Sequence, residues 1–177
     1  MEVSAAEIGA GDVVALFNKR FAIVEATVLV GGAVEPFFAP GKPSQIHFRE
    51  DYVRSALHEV AHWCVAGKRR RELPDYGYWY SPDGRTAAQQ AAFFAVEARP
   101  QAVEWVFCDA CGLGFTPSVD NIEGDPTDAD IQVFFERIAH WRSRLLDQGL
   151  PERAALFLQS LNEGGVSVDS QSEARRA

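Results

Sequence analysis

Two histidines and a glutamate stand together in HEVAH, at positions 58–62. If this stretch is helical, His58 and His62 lie one turn apart on the same face, and their imidazole nitrogens meet in one small volume without distorting the backbone. Such a pair suits zinc or iron. In zinc peptidases the glutamate after the first histidine serves as general base on a metal-bound water, which makes Glu59 a candidate catalytic residue. Two histidines packed on a helix face is the plainer alternative, and the acidic Glu59 beside an apolar flank argues against it.

Two imidazoles seldom complete a metal site, so a third ligand must come from another part of the chain. The best-placed carboxylate is Glu97, in FFAVEARPQAVEW, because it follows an apolar run where an inward carboxylate needs a charged partner. On the residues alone a solvated Glu97 is equally open, and Glu104 and Asp109 are the alternatives. His47, in a strand-like apolar setting, and His140, inside a late amphipathic helix, are read as structural. Cys108 and Cys111 have redox or ligand spacing, yet no second cysteine pair exists to build a structural zinc site; packing is the favoured role, as for Cys64.

The elements that must hold these groups follow from periodicity. DYVRSALHEVAHWCVAG carries Leu57, Val60, Ala61, Cys64 and Val65 at helical spacing, with Asp51 as expected N-cap and Gly67 as stop. DVVALFNKRFAIVEA forms a first helix, TVLVGG a strand, and EPFFAPGKPSQIHF a proline-rich connection into a second strand. KRRRELPDYGYWYSPDGR is a loop or short-strand region. TAAQQAAFFAVEA is helical, and Pro100 begins or kinks a further segment, PQAVEWVFCDACG. After the turn-rich FTPSVDNIEGDP come two more helices, over 127–149 and 151–165. The expected fold is α+β: one predominantly helical domain over 1–165 with a small sheet and a zincin-like metal-site helix, followed by a disordered tail at 166–177.

Composition bounds the function. The chain has 177 residues, enough for one core, and a net charge of -8 that argues against nonspecific nucleic-acid binding. Of its 17 basic residues 14 are arginine, densest in KRRRE at 68–72. The N-terminal residues lack the pattern of a secretory signal, no stretch approaches a membrane span, and the three cysteines form no disulfide framework, so a cytoplasmic location is expected.

Taken in order, ALHEVAHWCVAGKRRRELPDYGYWYSPDGR, VEARPQAVEWVFC, SVDNIEGD and GLPERAALFLQSL resemble the elongation factor P hydroxylase family. The resemblance covers most of residues 45–162. It implies hydroxylation of elongation factor P, with dioxygen as cosubstrate, on a lysine already extended by β-lysine. It also implies iron(II) held by His58, His62 and Glu97, a two-histidine, one-carboxylate set that leaves coordination positions open. Glu59 would then orient a ligand, bind a proton or receive a substrate ammonium group. Asp75, Tyr76, Tyr78, Tyr80 and Asp83 become candidate substrate contacts, the rings packing the aliphatic stem and cation, the acids binding amines. Trp79 is as well placed for the core. Arg69, Arg70 and Arg71 are expected to steer or dock an acidic partner surface. No HxD…H arrangement is present, so 2-oxoglutarate is not assigned, and no residue pattern names an electron donor. A zinc peptidase and a noncatalytic metal-stabilised binding module remain the alternatives.

Overall fold

The computed structural model describes residues 8–78, 85–119 and 127–174, with side chains described through residue 164. Five α-helices and three strands occur among them: α1 (Ala10–Phe21), β1 (Thr27–Ala33), β2 (Phe37–Ala39), β3 (Ser44–Arg49), α2 (Val53–Val65), α3 (Ala87–Ala110), α4 (Asp128–Gln148) and α5 (Glu152–Ala174), with two short 3-10 turns at Arg70–Glu72 and Pro74–Gly77. The expected mostly helical domain with a small sheet is what forms. None of the helices is long and apolar enough to cross a membrane.

The helix that carries HEVAH lies at the centre. α2 packs on β3 and β1, on α1, on α3 and on α5. It can do so because Ala56, Leu57, Val60, Ala61, Trp63 and Cys64 are all buried, which leaves only a narrow strip for polar groups. Trp63 sits edge-on to Phe17 and Phe21 of α1. The N-terminus departs from expectation: Tyr52 occupies the N-cap, and Asp51 lies one residue too early. Glu50 turns the chain through a positive φ, and Ser55 reaches back with its hydroxyl to accept from the Arg49 amide, so the strand-to-helix turn is closed without Asp51.

The sheet runs β1-β3-β2, with β1 parallel and β2 antiparallel to β3. The connection read as proline-rich thus contains a short strand of its own. β1 is an edge strand whose exposed ladder groups would invite pairing with another chain. Asn18 prevents this at one position: its carboxamide accepts from Leu29 N–H at 2.7 Å and donates to Leu29 C=O at 3.2 Å, as a strand neighbour would. Asn18→Leu should strand both groups and lower stability by ~1–3 kcal/mol, read as a drop in unfolding midpoint; an unchanged midpoint would mean that water serves Leu29 equally well.

α3 is a single helix of 24 residues, where two segments meeting at Pro100 were expected. Pro100 lies inside it and is buried; it removes one amide donor but does not break the helix, because packing against α2, α4 and α5 holds both halves in line. Thr86 and Gln89 form a capping box at its start. This continuity places Glu97, Gln101 and Glu104 on one buried stripe that faces α2.

Candidate metal centre

His58 and His62 project from α2, and Glu97 reaches them from α3. The Nε2 atoms of the two histidines are 3.1 Å apart, Glu97 Oε2 is 3.2 Å from His62 Nε2, and it is 3.8 Å from His58 Nε2. Among the described residues these three form the group whose ligand atoms converge closely enough to hold a metal ion. Metal–ligand bonds near ~2.1 Å would place two ligands of one ion about 3.0–3.4 Å apart, so the donor set fits with small adjustments. Glu97 is 4 % exposed, and a carboxylate so buried is stable only beside positive charge.

Electrostatics reinforce the arrangement. Burial by itself would lower the His58 pKa, but the hydrogen bond and charge of Glu104, with Glu59 and Glu97 beyond, outweigh it and hold the group at about 10. Burial by itself would raise Glu97; the charge and hydrogen bond of His62, the charge of His58 and a hydrogen bond from Gln101 overcome it and push the carboxyl down to about 2. The cluster therefore favours a cation among its carboxylates, which is the balance a metal ion would take over on displacing a proton.

The carboxylate offered as an alternative ligand does something else. Glu104 Oε2 is 2.8 Å from His58 Nδ1, on the far side of the ring from the convergence point. Its other oxygen is 3.2 Å from the Arg54 guanidinium. With Nδ1–H held by Glu104, the ring proton that a metal would displace is the one on Nε2, which leaves the Nε2 lone pair facing the convergence point. Asp109, the other alternative, bonds Arg142 on the exposed side of α3. Glu59 is half-buried beside the triad, with its pKa raised by burial, lowered in part by His58 and His62, and raised again by Glu97 and Asp75.

Among the described residues, the expected substrate contacts each have partners of their own. Asp75 is exposed, with one oxygen accepting from the Phe38 amide at 2.8 Å. Tyr76 is buried and stacked on Phe38 at 4.4 Å, with its ring parallel to His62 at 6.5 Å. Tyr78 is half-buried under the Arg70 guanidinium, 4.3 Å from its ring centroid. Trp79, Tyr80 and Asp83 lie outside the described residues. Two of the arginines expected to steer a partner are tied into the chain: Arg70 donates to Tyr76 C=O and Arg71 to Ala66 C=O. Cys108 is buried in the last turn of α3 and Cys111 caps it; burial pushes their thiols up to about 12 and about 11, which suits packing and not redox chemistry. His47 stacks on Phe37, and His140 is exposed on α4.

Sequence reasoning missed Arg54, Gln101 and the true role of Glu104. The signal was present: Glu97, Gln101 and Glu104 recur at helical spacing with apolar residues on either side, and Arg54 stands one turn before His58.

Comparison with known proteins supplies the lineage. Residues 16–170 match the family model described as EpmC, elongation factor P hydroxylase. A protein of Haemophilus influenzae named elongation factor P lysine hydroxylase is 41 % identical over 154 residues, which span 85 % of each chain. With most of its length matched in both comparisons, the chain belongs to the elongation factor P hydroxylase family.

Proposed function

We propose that this chain hydroxylates the β-lysylated lysine of elongation factor P, using iron(II) held by His58, His62 and Glu97, with dioxygen as cosubstrate. The observation that carries the proposal is the meeting of two α2 imidazoles with one α3 carboxylate in a chain of this family. In this reading Glu97 is the third ligand of the HExxH helix, and a two-histidine, one-carboxylate face with open positions is the donor set of non-haem iron oxygenases. When bound, iron would supply the activation of dioxygen. The chain's own residues do the rest. His58 is held in one tautomer by Glu104, and Gln101 donates toward Glu97 at 3.5 Å. Glu59 lies beside the triad and Asp75 close enough to Glu59 to act on it, an acidic pair suited to the ammonium groups of an extended lysine. Tyr76 stacks below His62, and Tyr78, Tyr80 and Asp83 are the further substrate contacts proposed for the stem and amines. The protein must hold one side-chain carbon close to the open face and keep other carbons away.

The test uses β-lysylated elongation factor P, the anaerobically iron-loaded chain, a chemical reductant and isotopic dioxygen. The expected result is a mass gain of one labelled oxygen atom, placed on the modified lysine by fragment spectra, with little turnover of the unmodified factor. Peptide fragments would establish the peptidase alternative instead. Full activity with zinc and none with iron, or no incorporation even with added cell extract, would overturn the iron assignment or the reaction respectively.

A further inference from the structure

Behind the triad, the polar side chains of α2 and α3 form a ladder. Arg54, His58 and His62 follow one another at single-turn spacing on α2, and Glu97, Gln101 and Glu104 face them from α3. Glu104 stands between Arg54 and His58, and Glu97 between His58 and His62. Gln101 and Glu104 are almost wholly buried, at 0 % and 2 % exposure. A second set of bonds leaves the same side chains in another direction. The Arg54 guanidinium donates to both the carbonyl and the hydroxyl of Thr116. The Gln101 carboxamide donates to Ser118 C=O at 2.8 Å and accepts from Ser118 N–H at 3.0 Å, as a strand partner would.

We infer that Arg54, Glu104 and Gln101 are positioning residues of the metal centre, and that through them the backbone at 116–118 becomes part of it. The inference rests on the triad being the metal site. One nitrogen of the Arg54 guanidinium donates both to Glu104, which His58 Nδ1 contacts, and to Thr116 C=O, so the same side-chain placement serves both bonds. Gln101 likewise contacts Glu97 and Ser118 through one amide nitrogen. Sharing of this kind makes metal loading and ordering of the segment reciprocal: whatever fixes one favours the other. A plain structural ion pair between α2 and α3 would join the helices but would leave metal affinity untouched.

Metal affinity and backbone protection distinguish these roles. Cobalt(II) and iron(II) binding would be measured anaerobically by competition with a chromophoric chelator. Amide hydrogen exchange of residues 113–119 would be followed with and without metal. Wild-type chain should bind metal and gain protection at Thr116–Ser118 on loading. Glu104→Gln, Arg54→Lys and Gln101→Leu should each weaken affinity by ~10–100-fold and lose much of that gain. Arg54→Lys keeps the charge but cannot hold Glu104 and Thr116 with one fork, so it gives the same reading if Glu104→Gln does not fold. Unchanged affinity in folded variants, even with a lowered melting temperature, would overturn the inference. A wild-type chain that binds no metal would instead remove the triad and the inference with it.

Discussion

Replacing Glu97 with glutamine should abolish metal-dependent hydroxylation and weaken metal binding by more than ~100-fold, beyond the loss typical of residues that only orient a ligand. The substitution preserves the volume of a side chain that is 4 % exposed and leaves Gln101 a polar neighbour. It removes the charge that faces both histidines, at 3.2 and 3.8 Å, and replaces an anionic ligand with a neutral amide. The fold should survive. A buried ionic cluster is costly to assemble, and a substitution that keeps the side-chain volume leaves the packing around it in place. Circular dichroism, metal analysis and the mass assay together check the expectation. A folded Glu97→Gln chain with native metal content and turnover would move the third ligand elsewhere, and the surroundings make that a demanding outcome: Glu104 is occupied by His58 Nδ1 and Arg54, while Asp109 is bonded to Arg142.

The motif helix was legible because its requirements are local. Apolar residues at single-turn spacing, two histidines on the remaining strip and Gly67 just past the end define α2 from a short window, and only its start was displaced, by the turn at Glu50. α3 was harder. Proline at position 100 is a strong local signal against continuity, and what overrides it is the packing of α2, α4 and α5 along both halves. Reading α3 as two pieces separated Glu97 from Glu104, so the two carboxylates were treated as competitors for one role. On a continuous helix they are seven residues apart on one stripe and address opposite ends of the His58 ring. The parallel pairing of β1 with β3 is likewise a long-range choice that no window of sequence contains.

Arginine usage shows a similar divide. A cluster such as KRRRE reads as surface charge, because charge density is visible and geometry is not. Arg71 instead bonds the Ala66 carbonyl at the end of α2 and lies 5.9 Å from the Trp63 ring centroid, while Arg70 covers Tyr78. The planar guanidinium can stack and donate at once, which a lysine at the same positions could not do.

The largest expected loss of stability comes from an arginine far from the motif in sequence. Arg153→Met should destabilise the chain by ~2–4 kcal/mol, because one guanidinium nitrogen of Arg153 donates to three carbonyls at the C-terminal end of α2: Trp63 at 3.0 Å, Cys64 at 3.1 Å and Ala66 at 2.7 Å. The last carbonyls of a helix have no partner within it, and the negative end of its dipole favours a cation there. The same guanidinium lies 4.7 Å from the Trp63 ring centroid and covers a side chain that is otherwise enclosed by Phe17 and Phe21. Methionine approximates the volume but supplies neither donor nor charge, so the carbonyls are left to Arg71 alone, which reaches only Ala66. For a domain of this size the loss corresponds to a fall of about 5–15 °C in melting temperature. Arg153→Lys should fall between, keeping charge near the helix end without the fork or the stacked plane. Because the cap lies beyond His62, at the end of α2 opposite Arg54, metal affinity measured well below the melting temperature should stay near that of the wild type. If Arg153→Met melts with the wild type, the capping bonds contribute nothing beyond what water provides. If it loses metal affinity at low temperature while still folded, α2 carries strain from its C-terminus to its histidines, and the cap belongs to the metal centre as well as to the fold.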